Sequence, residues 1–257
     1  MKKITALVLA LVLMLCSACF AEAYTFKMGI DAEYPPYTYM GDDGNYTGFD
    51  VEMCQKVCEI NGWGLEIVPI NWDTKLMTLD AMEIDCIWSG LTIDVLDAEA
   101  YELSMAYSDN SQMILTKASN GIATLADLEG KIVGVQQGTS ADIMLTNDMP
   151  DLVATFAELM RFENYNVCFT ELMAGSIDAI AIDIGVAAGK IAEYGEEYVM
   201  LEESLASEQY GICFRKADAA ICDQVEAAYL QLVEDGTYLA LAEKYALDTS
   251  ALCLLNK

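Results

Sequence analysis

After residue 23 the chain alternates short apolar runs with longer stretches in which apolar residues recur at helical spacing. In the first series this pattern predicts strands at 26–30, 65–69 and 86–89, separated by helices at 50–61 and 74–82. A β-α-β-α-β order predicts a parallel sheet with helices packed on its faces.

A second series repeats this order further along the chain. It predicts strands at 131–135, 154–156 and 179–183, and helices at 140–147, 165–174 and 185–194. The chain then returns through a predicted strand at 210–214 and helices at 219–235 and 238–245. Two α/β units without a low-complexity linker predict two lobes, with a ligand cleft at the carboxyl ends of the strands.

The amino terminus has the organisation of a secretory signal peptide over residues 1–23. Lys2 and Lys3 precede an apolar run at 4–15, and small residues follow it. The run is shorter than the roughly 20 residues of a membrane-spanning helix. We therefore expect an exported protein, either periplasmic or extracellular.

Two processing routes fit this segment. Ala21 and Ala23 form an A-x-A site that would release a chain beginning at Tyr24. Alternatively, Cys19 ends a lipobox-like segment and would become a lipid-anchored amino terminus, although Cys16 stands where a lipobox normally has leucine. Both routes place the protein outside the cytoplasm.

Charge and composition exclude several classes of function. The chain has 41 acidic and 13 basic residues, a formal net charge of -28, and no histidine. Such a charge repels phosphate backbones, so no nucleic-acid partner is expected. Without histidine there is no Ser-His-Asp triad, no Cys-His dyad and no imidazole metal ligand. We predict no catalytic residue, no metal site and no cofactor.

Nine cysteines are present, and Cys16 and Cys19 precede residue 24, which leaves seven. An odd number cannot pair completely within one chain. Several lie among apolar neighbours, so we expect them to be buried thiols that pack as small apolar side chains.

One segment carries a family resemblance. From Gly48 to Asn61 the chain reads GFDVEMCQKVCEIN, in which Gly48 permits a tight turn and Asp50 favours a helix amino terminus. The segment resembles the signature of the family 3 extracellular solute-binding proteins. Further matches follow in family order, at 31–37, 72–73, 84–92, 128–139, 175–183 and 209–211. They cover nearly the whole chain after residue 23.

The resemblance implies an α/β protein with the two-lobed type II periplasmic-binding-protein fold, each lobe a mixed, mostly parallel sheet with flanking helices. Residues 24–108 and 210–257 would form lobe 1, and 109–209 would form lobe 2 with the hinge segments. Two strand crossovers, near 108–111 and 207–210, would be the hinge.

The resemblance also implies a function, which is the substrate-binding role of an ABC importer. Such a protein, a monomer, captures a small polar solute, an amino acid or another amine-bearing compound, and delivers it to a membrane permease. Two alternatives remain open. One is a sensory or scavenging binding lipoprotein, and the other is an enzyme resembling cyclohexadienyl dehydratase on the same fold, with Glu33 or Asp183 as general acid or base.

By motif position, ten residues would border the ligand: Asp31, Tyr34, Trp72, Ser89, Gly90, Thr92, Gly138, Thr139, Ser140 and Asp183. Asp183 would receive an ammonium group, and the helix start at Gly138–Ser140 would suit a carboxylate. Each has a plain alternative. Asp31 and Asp183 could be turn residues, Trp72 could be core, and Thr139 and Ser140 could serve only as a helix cap.

One departure from the family pattern concerns the carboxylate. Members that bind amino acids usually carry an arginine in the stretch that is 93–99 here, which holds three acids and no cation. A lysine often found before the lobe 2 Gly-Thr is replaced by Gln136 or Gln137. Lys75 is the nearest compensating candidate, and its alternative is a solvated helix residue.

The acids and aromatics that remain would favour cationic or neutral amine-bearing solutes over acidic ones. This expected set comprises Asp31, Glu33, Tyr34, Trp72, Trp88, Asp94, Asp97 and Asp183.

Overall fold

The computed structural model describes residues 24–255, so the predicted signal peptide and Cys19 lie outside the described residues. The strands are β1 (Thr25–Ile30), β2 (Glu33–Tyr34), β3 (Thr38–Met40), β4 (Tyr46–Thr47), β5 (Gly64–Pro69), β6 (Cys86–Thr92), β7 (Tyr101–Leu103), β8 (Ser108–Lys117), β9 (Ile132–Gln136), β10 (Glu158–Phe162), β11 (Ala179–Asp183), β12 (Tyr198–Met200) and β13 (Ala206–Arg215). The α-helices are α1 (Phe49–Asn61), α2 (Lys75–Asp80), α3 (Ser140–Asn147), α4 (Pro150–Val153), α5 (Tyr165–Ala174), α6 (Ile184–Tyr194), α7 (Ala219–Glu234) and α8 (Thr237–Lys244).

Ten strands form one hydrogen-bonded sheet in the order β10-β9-β11-β8-β13-β6-β1-β5, with β12 beside β8 and β7 beside β13. At one end β1 runs parallel to β5 and β6, and at the other end β9 runs parallel to β10 and β11. Strands β2, β3 and β4 make a small separate sheet. The two parallel halves match the two predicted β-α series.

Strands β8 and β13 join the two halves. Their first residues pair with each other antiparallel, with Ser108 opposite Tyr210 and Gln112 opposite Ala206. Beyond this ladder β8 pairs with β11 in one half, and β13 pairs with β6 in the other. Both strands therefore cross between the halves within the segments expected of the hinge.

Helix α1 is bounded by two glycines, which explains why its sequence predicted a helix so clearly. Gly48 precedes the helix at a φ of 124°, and a Cβ there would lie 2.1 Å from the carbonyl oxygen of Tyr37. Only glycine fits that approach. Gly62 ends the helix in the left-handed conformation, and between these glycines Met53, Cys54 and Val57 are buried.

Two predicted elements are wrong in part. The strand predicted at 154–156 does not form, because Pro150 starts the short helix α4 and the strand follows later, as β10. Phe156 still packs into the core of this half, which explains its apolar signal. The helix predicted at 74–82 is a 3-10 turn at Trp72–Thr74 followed by α2, and it ends before Met82, whose φ is 61°.

Six cysteines are buried in these cores, as expected of small apolar side chains: Cys54, Cys58, Cys86, Cys168, Cys213 and Cys222. Between residues 24 and 255 no helix is both long and apolar enough to cross a membrane. The same part of the chain holds no cluster of cysteine and carboxylate side chains that could bind a metal ion.

Candidate functional site

A cavity of about 120 Å³ lies between the two halves of the sheet. The structure places all ten predicted ligand residues on its wall: Asp31, Tyr34, Trp72, Ser89, Gly90, Thr92, Gly138, Thr139, Ser140 and Asp183. The wall also includes Lys75, which the sequence offered as a compensating cation, and six residues that sequence reasoning did not place: Leu76, Leu91, Val95, Leu96, Gln136 and Ile143. A water needs roughly 10–15 Å³ on this scale, so the cavity has room for one small solute.

The ends of four strands bring the polar residues together. Asp31 follows β1, Ser89 lies within β6 and Thr92 ends it, Thr139 follows β9, and Asp183 ends β11. The carboxyl ends of parallel strands are where α/β sheets bind ligands. The cavity therefore lies where the two predicted β-α series required it.

Gly90 forms part of the wall because a buried acid holds its backbone. Asp50 is fully buried on α1, and its Oδ2 accepts hydrogen bonds from the Gly90 N–H at 2.7 Å and the Tyr107 hydroxyl at 2.9 Å. Burial raises the pKa of Asp50 to about 7. Gly90 has a φ of 53°, and a Cβ there would lie 2.6 Å from the Tyr34 ring.

Asp31 connects the two halves across the cavity. Its Oδ2 accepts a hydrogen bond from Gln136 Nε2 at 2.6 Å, and its Oδ1 accepts one from the Glu33 N–H at 2.9 Å. Its own N–H donates to Ser89 Oγ at 3.1 Å. Burial raises the pKa of its carboxyl group, against the opposing effect of these bonds. Asp31 is thus both a turn residue and a cavity residue.

Asp183 is buried at 4% exposure and is held by four side chains from three elements, β8, β13 and α5. Its Oδ1 accepts hydrogen bonds from Tyr210 at 2.7 Å, Gln112 at 2.6 Å and Asn110 at 2.7 Å. Its Oδ2 accepts one bond, from the Tyr165 hydroxyl at 3.2 Å. Oδ2 is therefore the oxygen that keeps acceptor capacity for a ligand.

Glu208 is a second buried acid beside Asp183, and sequence reasoning missed it. Its Oε1 accepts hydrogen bonds from Thr92 at 2.7 Å and Ser140 at 3.2 Å, one from each half. It also accepts from Asn110 and Gln112, the two amides that bind Asp183. Burial and the nearby Asp183 raise the pKa of Glu208.

Hydrogen bonds within α3 itself already use part of the helix start at Gly138–Ser140. Thr139 Oγ1 accepts the Asp142 N–H at 3.3 Å, so the residue is an N-cap. The Gly138 N–H donates to Asp142 Oδ2 at 3.1 Å. The terminus therefore offers a ligand fewer N–H groups than the sequence suggested.

Lys75 lines the cavity and is 7% exposed, so its interpretation as a solvated helix residue is wrong. Its Nζ donates to the carbonyl oxygens of Gly138 at 2.6 Å and Trp72 at 3.2 Å, and lies 4.9 Å from the Trp72 ring centroid. Burial lowers the pKa of Lys75 to about 8. Trp72 itself is both a core residue and a cavity wall.

Four members of the expected acidic and aromatic set do not line the cavity: Glu33, Trp88, Asp94 and Asp97. Trp88 is fully buried against Tyr229, and Asp94 accepts the Gln209 N–H at 2.6 Å. The charged residues on the wall are Asp31, Asp183 and Lys75. The excess of acids on the cavity wall is therefore smaller than the sequence indicated.

Two halves joined by two crossing strands, with a cavity between them that is lined by apolar and charged side chains, define a two-lobed solute-binding protein. The model of the bacterial extracellular solute-binding proteins, family 3, matches residues 26–248, and the chain belongs to this family. The predicted family, the type II periplasmic-binding-protein fold and the substrate-binding role for an ABC importer are thereby confirmed.

Relatives and solved structures agree with this assignment. The chain is 29% identical to the L-cystine-binding protein TcyJ of Escherichia coli over 87% of this chain and 83% of the relative. It is also 29% identical to the histidine-binding periplasmic protein of Salmonella typhimurium, over 95% and 97%. A Streptococcus pneumoniae ABC uptake transporter substrate-binding protein with bound histidine superimposes with a TM-score of 0.83 at 28% identity, over 86% and 92%. The periplasmic relatives support an exported location for this chain.

Proposed function

We propose that the cavity binds one amino acid, with its ammonium group on Asp183. The observation that carries this proposal is the Asp183 carboxylate, which is buried, lines the cavity and is held by four side-chain donors. A buried cation needs a paired carboxylate, and the Oδ2 atom of Asp183 has acceptor capacity left. Tyr34 and Trp72 supply aromatic walls beside it.

The solutes named for the relatives support the same class of solute for this chain. They describe proteins that bind cystine, histidine, and lysine, arginine or ornithine, and a solved relative from T. maritima is an arginine-binding protein. All of these solutes are amino acids. The cavity volume also suits a solute of that size.

We further propose that all ten predicted residues contact the solute, and that 24–108 with 210–257 and 109–209 are the lobes that close on it. Hydrogen bonds across the cavity support closure as the bound form, with Gln136 donating to Asp31, Lys75 to the Gly138 carbonyl and Thr92 to Ser140. Closure needs only a few backbone positions to change where β8 and β13 cross.

The proposed role is capture and delivery to a permease, by a monomer without catalytic activity. One solved relative is an ancestral amino-acid-binding protein described as a precursor of cyclohexadienyl dehydratase, at 29% identity and a TM-score of 0.77. The enzyme alternative relied on Glu33 or Asp183. Glu33 lies outside the cavity wall and pairs with Asn166, while Asp183 carries the ammonium in this proposal.

We also propose that residues 1–23 direct export of the protein. The mature protein then either begins at Tyr24 or carries a lipid anchor on Cys19. Mass spectrometry of the mature protein distinguishes them, because only the second form carries a lipid on its first residue.

A thermal-shift screen with the common amino acids, cystine and simple amines tests the proposed solute class. A solute at a hundred times its dissociation constant stabilises the folded protein by about 2.7 kcal/mol. We expect at least one amino acid to raise the melting temperature. Failure of every amino acid in the screen would contradict the proposal.

A further inference from the structure

Lys75 is a buried cation on the wall of the cavity, and the proposed contact between Asp183 and the ammonium group leaves it without a role. Its side chain comes from the first turn of α2 in one half, and its Nζ reaches the Gly138 carbonyl of the other half. The ammonium group also touches Trp72, and all three residues line the cavity. The charge is therefore placed at the cavity itself.

This cation has no carboxylate partner among residues 24–255 of the structure. No carboxylate oxygen in that range lies within 4.0 Å of its Nζ, whereas both arginines form ion pairs. An ammonium group has three hydrogen-bond donors, and the described residues accept two of them, both through backbone carbonyl oxygens. A buried charge without a counter-ion is costly, so an anion that enters the cavity would gain from pairing with it.

We propose that Lys75 is the counter-ion for a carboxylate of the bound solute, so that the site prefers an amino acid over the matching amine that lacks the carboxylate. This inference rests on the proposed binding of an amino acid. It assigns to Lys75 the task of the arginine that is absent from 93–99. It also replaces the expectation that any amine-bearing solute would suffice.

Lys75 and Asp183 then recognise different parts of the solute. Asp183 supplies the negative partner for the ammonium group, and Lys75 supplies the positive partner for the carboxylate. A charge-assisted hydrogen bond changes affinity by about ten- to a hundredfold. We expect a preference of that size for the amino acid over its amine.

The alternative is that Lys75 only joins the two halves through the Gly138 carbonyl. In that case its loss would weaken closure around every solute equally. The ratio of affinities for amino acid and amine separates the two roles, because closure affects both solutes and the counter-ion affects only one.

Several charged or titratable groups surround Lys75 and would influence its titration. Asp73 precedes α2, Asp142 lies on α3, and Cys213 lies on β13. Asp31 and Asp183 lie on the cavity wall. Burial outweighs these neighbours and lowers the pKa of Lys75 to about 8, so its charge is lost as the pH rises above 8.

The experiment measures dissociation constants by calorimetry for matched pairs: L-arginine with agmatine, L-histidine with histamine, and L-cystine with cystamine. The same screen extends to the other amino acids and their amines. The variants are Lys75→Met, which keeps length and apolar packing, and Lys75→Arg, which keeps the charge at all relevant pH values. Wild type should prefer the amino acid at least tenfold at pH 7. Lys75→Met should abolish the preference, and Lys75→Arg should retain most of it.

A second measurement compares pH 7 with pH 9. Relative to Lys75→Arg, wild type should lose up to about tenfold in amino-acid affinity, as a group with a pKa near 8 becomes mostly neutral. An unchanged ratio of affinities in Lys75→Met would overturn this inference and leave the proposed amino-acid binding intact. Absence of binding by every amino acid would overturn the proposed function and this inference with it.

Discussion

The carboxylate of Asp50 accepts the backbone N–H of Gly90 at 2.7 Å, although forty residues separate them in the chain. Asp50 belongs to the GFD segment that carried the family resemblance, and Gly90 lines the cavity. The segment therefore does more than begin a helix. It fixes the backbone in the second half of β6, where Ser89, Gly90 and Thr92 line the cavity.

Asp50→Asn tests the energetic consequence of this burial. The folded-state pKa of Asp50, about 7, lies above the ordinary 3.8, so folding favours its protonated form. This contribution to stability is fully present below about pH 4 and is lost as the pH rises to about 7, by at most about 1.4 kcal/mol per pH unit. Asparagine does not titrate. We expect the unfolding free energy of wild type minus variant to fall between pH 4 and pH 7.

Urea denaturation across that pH range measures the difference. Asp43→Asn is the matched control, because Asp43 is exposed and its hydrogen bonds with Asn45 lower its pKa. Its difference should stay nearly constant between pH 4 and pH 7, because the contribution of a lowered folded-state pKa is fully present above the ordinary 3.8 and is lost only as the pH falls below about 4. A pH-independent difference for Asp50→Asn would show that the buried acid stays ionised in the folded protein.

Gly90→Ala should disrupt both stability and binding. The residue has a φ of 53°, and the new Cβ would lie 2.6 Å from the Tyr34 ring, so backbone and aromatic wall must both shift. Gly44→Ala is the control, with a φ of 79° and no atom within 4 Å of the added Cβ. The free energy of unfolding of the control should fall by only roughly 1 kcal/mol, which is the cost of an alanine in the left-handed conformation. Thermal denaturation should show a larger loss of stability for Gly90→Ala. Its affinity for the amino acid found in the screen should fall at least tenfold.

The sequence predicted which residues line the cavity better than it predicted the buried charged residues Lys75 and Glu208. Asp31, Thr92 and Asp183 could be placed because the family resemblance gave their motif positions, and each of them follows or ends a strand of the structure. Lys75 was named only as a candidate cation, and its burial could not be predicted, because it contacts Gly138, which belongs to the other half and is distant in the chain. Nothing in the local spacing of α2 indicates that contact.

Glu208 was missed for a different reason. It lies on the crossing segment of β13, where buried and exposed residues alternate, as they do around Asn110 and Gln112 on β8. Polar side chains at alternate positions of a strand normally indicate a solvated face. Here that face points into the junction of the two halves, and only the pairing of β8 with β13 reveals it.

Asp183→Asn should weaken binding of the amino acid at least tenfold while changing the melting temperature of the ligand-free protein little. The asparagine Oδ1 can accept the same three bonds from Tyr210, Gln112 and Asn110, and its Nδ2 can donate to the Tyr165 hydroxyl. The substitution therefore removes the charge and keeps the shape. Calorimetry and thermal denaturation measure the two effects. An unaltered affinity would remove Asp183 from the site.

Closure of the two halves should depend on the hydrogen bonds that cross the cavity. Gln136 Nε2 donates to Asp31 Oδ2 at 2.6 Å in a buried position, whereas Gln137 Nε2 donates to Asp73 Oδ2 at 2.9 Å in an exposed one. A buried bond to a charged group contributes about 1.5–3 kcal/mol, and an exposed one contributes much less. Gln136→Ala should therefore weaken amino-acid binding at least tenfold, and Gln137→Ala should hardly change it.

Small-angle scattering shows whether this effect arises from closure. Wild type should contract when the amino acid is added, because the two halves move together where β8 and β13 cross. At equal saturation Gln136→Ala should contract less or remain partly open, since the closed form has lost a buried bond between Asp31 and the opposite half. A wild-type protein that binds the amino acid without contracting would contradict closure. Equal losses of affinity in both glutamine variants would contradict the distinction between the buried and the exposed bond.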